Sequence, residues 1–213
     1  MSQHIVIDHS ETPIRLFKSD FLEFFTHIHP AVIIIIWVPV IFLFFYQAFT
    51  LDYVPGSLAL YIPAGVLAGL FLWTFAEYML HRFVFHFRPR NATQEKIIFL
   101  FLESHHAQPQ DKTRLVMPPV VSIPMALIFY GLFYGLVGRL LGAPLWVAPL
   151  SAGFLIGYLV YDLTHYATHH FPMRKGIFKF LKRYHMQHHY KTPDQRFGVS
   201  SPLWDMVFGT RPD

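Results

Sequence analysis

The sequence predicts an all-α, multi-pass membrane protein, with four transmembrane helices and a helical cap on the cytoplasmic face. Three observations predict it. The 213 residues are 54% hydrophobic and 18% aromatic but only 14% charged, where a soluble domain carries about 25% charge. Four apolar stretches approach or exceed the roughly 20 residues that cross a bilayer. Sixteen of the seventeen Lys and Arg fall on one side of those stretches.

The four expected spans are Ala31–Phe49, Leu58–Leu80, Pro119–Leu141 and Pro144–Tyr161. The last is the shortest and is expected to be tilted or only partly inserted. Pro39, Pro63, Pro124 and Pro149 lie inside spans, where a bundle tolerates proline if neighbours satisfy the freed carbonyls. Arg15 and Lys18 precede the first span, and no basic residue separates the first from the second. Arg82, Arg88, Arg90, Lys96, Lys112 and Arg114 lie between the second and third. Arg139 alone sits near the turn between the third and fourth, and the other eight follow the fourth. The excess of positive charge marks the cytoplasmic side. The loop after the second span, the tail after the fourth and both termini are therefore expected there. The membrane would be the inner membrane of a bacterium or the endoplasmic reticulum of a eukaryote.

The opening MSQHIVIDHSE lacks a signal peptide's basic start and cleavage site, so the first span is expected to direct insertion. Thr12–His29 reads as an interfacial helix. Asp20 with Glu23 resembles a helix start, Phe17, Phe21, Phe24 and Phe25 form an apolar face, and Arg15 and Lys18 are polar. Its expected role is an anchor. The whole chain reads as one domain, with residues 81–118 and 162–213 forming the cap.

The net charge is +4 and the pI about 9.3. A nucleic-acid binder would gather its basic residues into a patch on a soluble surface. Here they flank apolar runs, as topology signals and headgroup contacts do. No nucleic-acid partner is expected. The absence of cysteine excludes disulfides, thiolate zinc sites, iron–sulfur clusters and thiolate-ligated haem. A metal must then be held by nitrogen or oxygen.

Fourteen histidines are present, and nine fall in four clusters on the predicted cytoplasmic side. His81 and His86 form HxxxxH, and His105 and His106 are adjacent. His165 and His169 form HxxxH, and His185, His188 and His189 form HxxHH. Residues three or four apart share a helix face. His165 and His169 can aim at one ion, as can His185 with His188 or His189. No single cluster completes a shell, and four clusters suit two ions. His170 points about 100° from His169 on a helix and is left out of the ligand set. His4, His9, His27 and His29 read as surface residues. Imidazoles suit iron, copper, nickel and zinc alike. Glu77, four residues before His81, and Asp162, three before His165, are expected to accept a ring N–H and orient a ligand.

The stretches WTFAEYMLHRFVFHF, HHAQPQDKTRLVMPP, GYLVYDLTHYATHH, LKRYHMQHHY and FGVSSPLWDMVFGT run in this order from Trp73 to Thr210. Together they resemble the fatty acid hydroxylase and sterol desaturase superfamily, and within it the fatty acid 2-hydroxylases. The resemblance implies a membrane monooxygenase of the non-haem di-iron type, with two iron ions under a cytoplasmic cap. Zinc is compatible with the same donors in isolated protein. The reaction implied is O2-dependent insertion of one oxygen atom at C2 of a fatty acyl chain, free or in a sphingolipid. By motif match, the metal ligands are His81, His86, His105, His106, His165, His169, His185, His188 and His189. The family's second cluster usually reads HxxHH. Leu102 stands here where a tenth histidine is expected, which puts one shell in doubt. Glu103 is adjacent but turned away, and reads as water-facing rather than as an oxygen donor. Eukaryotic relatives often carry a fused cytochrome b5 domain, which this sequence lacks. Electrons are therefore expected from a separate acidic carrier of cytochrome b5 or ferredoxin type.

Two alternatives remain open at the level of sequence. One is a sterol or carotenoid oxidase, or a desaturase, of the same superfamily, since ligand spacing describes the metal and not the substrate. The other is a non-catalytic metal-binding protein or a metal transporter, although these spans have almost no ionisable residue at mid-bilayer.

Overall fold

The computed structural model describes residues 10, 12–50, 58–87, 89–99 and 104–212, and no strand occurs among them. The helices are α1 (Asp20–Phe24), α2 (Pro30–Thr50), α3 (Leu58–Met79), α4 (Ala92–Ile98), α5 (Ser104–Ala107), α6 (Pro119–Phe133), α7 (Val147–His170), α8 (Gly176–Tyr190) and α9 (Leu203–Val207). α3 runs on as a π-helical turn over Leu80–Phe85, and α6 as another over Tyr134–Leu140. Four helices are long and apolar enough to cross a membrane: Pro30–Thr50, Leu60–Phe85, Pro119–Leu140 and Pro144–His170. The chain is a multi-pass membrane protein.

The residues form two compact units. One joins Ala31–Trp73 with Met117–Val160 and holds most of the apolar helix length. In lipid the hydrophobic effect does not drive helices together, so close backbone approach and dispersion must do so. α3 and α7 meet in this way. A Cβ built on Gly69 would lie 2.2 Å from the Leu150 carbonyl oxygen, and one on Gly153 would lie 2.1 Å from that of Val66. Only glycine fits either place. Trp37, Trp73, Phe154 and Tyr158 then interlock edge to face, with ring centroids 5.1–5.7 Å apart. The same unit contains an apolar cavity of about 380 Å³, walled by residues that include Trp37, Phe44, Phe129 and Phe154.

The fourth apolar stretch belongs to a longer helix: α7 continues past Tyr161 to His170. Its most apolar window is 72% buried, against 6% for α6. Its modest apolarity reflects protein rather than lipid as its neighbour.

The N-terminal segment departs from expectation. Only Asp20–Phe24 is helical. Glu23 does not close a capping box on its own helix. Its Oε2 accepts the backbone N–H groups of Leu16 and Phe17, at 3.0 and 2.8 Å. Phe21 and Phe24 remain exposed, as the expected apolar face requires.

The second unit comprises the residues before Ala31 with Thr74–Val116 and Tyr161–Asp213. It contains all nine clustered histidines. Residues 51–57, between the first two spans, lie outside the described residues, as do His4, His9, Leu102 and Glu103.

Candidate metal centre

Each histidine is placed by a distinct local device. Five residues apart on an α-helix, His81 and His86 would point about 140° from each other. The π turn removes that difference: the His86 N–H donates to the His81 carbonyl at 3.0 Å. The wider turn returns residues five apart to one face, and the two ring centroids stand 5.0 Å apart. His165 and His169 share a face of α7 by ordinary helical spacing. The end of α7 is tied by Lys182 of α8, whose Nζ donates to the Thr168 and Phe171 carbonyls at 2.7 and 3.0 Å. A cation placed there also suits the negative end of a helix. α8 carries the last three. His185 and His189 are one turn apart and His188 lies beside them.

The rings converge into two adjoining groups. His81, His86, His106 and His188 form one, and His165, His169, His185 and His189 the other. In each, one nitrogen per ring lies within 4.8 Å of all the others. A third set, His105, His106 and His189, joins them. The His106 and His189 rings stack with centroids 4.1 Å apart at this border. α8 thus splits its histidines, His188 to the first group and His185 with His189 to the second. His170 belongs to none of the three sets. Its ring packs on Tyr166 at 4.8 Å.

The donor set fits a pair of cations. Metal–nitrogen bonds of about 2.1 Å at right angles place two donors about 3.0 Å apart. The closest nitrogens, all Nε2, are 3.1 Å apart for His188 and His86, 3.0 Å for His169 and His185, and 2.9 Å for His189 and His185. The Nε2 of a neutral imidazole is either a donor or an acceptor. His185 can therefore satisfy one of its two neighbours by hydrogen bonding, whereas a cation satisfies both. The Nε2 atoms of His106 and His165 are buried without a hydrogen-bond partner among the described residues.

Two of the other ring nitrogens are committed to backbone carbonyls. His81 Nδ1 meets the Phe197 carbonyl at 2.5 Å, and His188 Nδ1 meets that of Gln195 at 2.6 Å. A carbonyl only accepts, so each such ring carries its proton on the side away from the cage. The lone pair is left pointing inward. Burial, reinforced by the neighbouring His188, lowers the pKa of His86 to about 3. Burial lowers that of His188 to about 4, against the Gln195 carbonyl, which raises it. Burial first, and then adjacent imidazoles, hold His106, His185 and His189 well below their ordinary range. These rings are neutral at pH 7, the form that binds metal.

The loop that supplies the Phe197 and Gln195 carbonyls is itself held by two carboxylates. Asp205, fully buried, accepts the N–H groups of Phe197 and Gly198 at 2.9 and 2.8 Å and the Thr210 hydroxyl at 2.7 Å. Glu77, 3% exposed, accepts those of Val199 and Ser200 at 2.6 and 2.8 Å. Four consecutive N–H groups are thus fixed. Glu77 reaches His81 through this loop. Asp162 is buried one turn before His165. Arg196 lies between the two accepting carbonyls with φ of 59°, a left-handed conformation costing roughly 1–2 kcal/mol in an L-residue. A Cβ on Gly198 would lie 2.0 Å from the Ser201 carbonyl oxygen. Asp205, Gln195 and Arg196 escape a search by histidine spacing. The signal available for them was their place in and beside the stretch FGVSSPLWDMVFGT.

Residues 66–210 match the family model for fatty acid hydroxylase. The chain belongs to the fatty acid hydroxylase family. Among its relatives, a dihydroceramide fatty acyl 2-hydroxylase of Arabidopsis thaliana is 36% identical over 93% of this chain and 80% of its own length. The fatty acid 2-hydroxylase of Rattus norvegicus is 35% identical over 93% of this chain, which spans 56% of that protein. A solved structure of full-length scs7p, with only its hydroxylase domain visible, is 36% identical. It aligns with a TM-score of 0.81 over 91% of this chain and 70% of that one. All nine clustered histidines lie within the residues that match the family.

Proposed function

We propose that this protein is an O2-dependent lipid hydroxylase that places a hydroxyl group at C2 of a fatty acyl chain, free or within a sphingolipid. The observation that carries the reading is the convergence of eight histidines into two adjoining groups of four, with His105 at their border. The relatives named for fatty acyl 2-hydroxylation favour this position on the chain over the sterol, carotenoid and desaturase alternatives. One iron ion would be held by His81, His86, His106 and His188, and a second by His165, His169, His185 and His189, with His105 at the border. Bound iron supplies the activation of O2 with two electrons and two protons, one oxygen atom entering the C–H bond and the other leaving as water.

The chain's own groups do the rest. Carbonyls at Phe197 and Gln195 fix the orientation of the His81 and His188 rings and keep their inward nitrogens bare. Burial keeps the rings neutral and excludes water that would compete at the centre. The membrane unit presents an apolar cavity to a ligand, as a hydrocarbon chain requires. Arg174, Lys175, Lys179 and Arg183 are exposed, a surface suited to an acidic electron carrier of cytochrome b5 or ferredoxin type. The distribution of Lys and Arg supports a cytoplasmic centre.

The test is lipid mass spectrometry of cells with and without the protein. A gain of one oxygen at C2 of an acyl chain, lost in His188→Ala, is the expected result. Unchanged lipids with the folded wild-type protein, or full turnover by the variant, contradict it.

A further inference from the structure

One peptide group joins Asp205 to the histidine cage. The carbonyl of the Phe197–Gly198 peptide meets His81 Nδ1 at 2.5 Å, and the N–H of the same peptide donates to Asp205 Oδ2 at 2.8 Å. A carboxylate that accepts from a histidine ligand orients its ring and raises its basicity. Here a peptide is interposed: the carboxylate fixes the peptide, and the peptide fixes the ring. Asp205 Oδ1 accepts from the Phe197 N–H and from the Thr210 hydroxyl, at 2.9 and 2.7 Å. Asp205 is fully buried and belongs to none of the ion pairs found among the described residues. A buried charge is costly unless it is paired and hydrogen-bonded, so what lies behind Thr210 matters.

The Thr210 hydroxyl oxygen lies 3.0 Å from that of Tyr78, and Arg82 donates to the Tyr78 hydroxyl at 2.6 Å. The direction of every bond follows from the two ends. A guanidinium only donates and a carboxylate only accepts. Thr210 therefore gives its proton to Asp205 and accepts from Tyr78, and Tyr78 accepts from Arg82. Hydrogen bonds in such a row polarise one another. A half-buried cation on the π turn is thus joined to a fully buried carboxylate through two hydroxyls. Packing keeps the row in register. The buried Tyr78 ring stacks on Phe208, with centroids 5.2 Å apart and 16° between planes. The Arg82 guanidinium lies 5.0 Å from the centroid of the Phe83 ring, within reach of a cation–π contact.

We infer that Arg82, Tyr78 and Thr210 are positioning residues for the metal site of His81, His86, His106 and His188: they hold Asp205, and through it the Phe197–Gly198 peptide, so that the His81 ring keeps its Nε2 toward the ion. The inference rests on the proposed metal-binding role of that group. Arg82 follows His81 directly in sequence, yet it acts on that ring through five successive hydrogen bonds. Residues of one network are coupled, and their separate costs do not add. Once the row is cut at Thr210, Arg82 has no path to His81, and removing it should change nothing further at the metal.

The experiment is anaerobic titration of the detergent-solubilised full chain with Co2+, read by visible absorption. It is done in a His165→Ala background, where the group of His81 is the one left intact. Thr210→Val removes the hydroxyl at nearly constant shape and should weaken Co2+ binding by about tenfold, the low end of the cost of losing a partner that orients a ligand. Thr210→Ser keeps the hydroxyl and should bind nearly as well as the parent. Arg82→Met should weaken binding when Thr210 is present and have no further effect beside Thr210→Val. Arg82→Lys keeps a cationic donor and should recover most of the loss. If Thr210→Val does not fold, Tyr78→Phe cuts the same row one link earlier and replaces it in each comparison. An undiminished site in Thr210→Val, losses that multiply in the double variant, or a serine no better than valine would each overturn the inference. A wild-type chain that binds no Co2+ would instead defeat the metal-site reading on which the row depends.

Discussion

Asp205→Asn tests the claim that a carboxylate two steps removed from the cage determines its geometry. Asp205 is fully buried, and both oxygens accept: Oδ1 from the Phe197 N–H and the Thr210 hydroxyl, Oδ2 from the Gly198 N–H. An asparagine keeps the shape but replaces one oxygen by a donor. Whichever way the amide turns, an NH2 group faces at least one backbone N–H. A hydrogen bond to a charged group contributes about 1.5–3 kcal/mol, and a buried donor left unpaired costs about 1–3 kcal/mol more. A destabilisation of about 3–5 kcal/mol follows if the loop stays in place. If the loop moves to relieve the clash, the cost in stability is smaller but the Phe197 carbonyl leaves His81 Nδ1, now 2.5 Å away. The assay is denaturant unfolding of the metal-free protein beside metal titration of the same samples. The prediction is a loss in at least one, with weakened binding confined to the group of His81, His86, His106 and His188. A variant as stable as wild type that binds both metals equally well would refute the reasoning.

Gly153→Leu should separate α3 from α7, because even its Cβ would lie 2.1 Å from the Val66 carbonyl oxygen. Thermal unfolding in detergent should show a large destabilisation, whereas Leu at the exposed position of Gly131, which meets nothing within 4 Å, should leave the melting temperature nearly unchanged. The metal-free protein should lose stability in acid. His86 and His188 have folded pKa values of about 3 and about 4, below the ordinary 6.5, so the unfolded chain takes protons first. Their contribution is complete above about pH 6.5 and is lost as pH falls from there toward the folded values. Between pH 7 and 5.5 the two together should cost about 2 kcal/mol, and a flat urea midpoint across that interval would contradict the assignment of neutral, buried rings. Turnover with an acidic carrier should weaken as salt is raised, and the triple variant Lys175→Ala, Lys179→Ala, Arg183→Ala should raise the KM for that carrier with little change in kcat.

The apolar stretches and the basic residues between them made the four spans legible, because length and hydropathy are local properties. The histidine clusters were legible for the same reason where ordinary helical spacing applies, as at His165 and His169. Spacing did not show how His81 and His86 come together, since HxxxxH needs a π turn that no local pattern announced. It left open whether His185 pairs with His188 or His189, which depends on the helices facing α8. Glu77 was singled out by its nearness to His81 in sequence, whereas its hydrogen bonds to Val199 and Ser200, more than a hundred residues away, come only from the fold. Asp205 was invisible for a related reason: its partners at Phe197, Gly198 and Thr210 meet it only in the fold. The glycines of α3 and α7 carried no signal either until the two helices were seen to touch. The last turns of α7 trade apolar residues for histidines, so hydropathy alone does not carry to the end of the helix.

The most direct test of the account is the metal content of the anaerobically purified protein, set beside His86→Ala and His165→Ala. One variant breaks each histidine group and neither removes a membrane span. The account predicts two irons per chain in the wild type and about one in each variant, with X-ray absorption showing imidazole nitrogen around the iron that remains. A wild-type chain without bound metal, or variants that both keep a full pair, would contradict it.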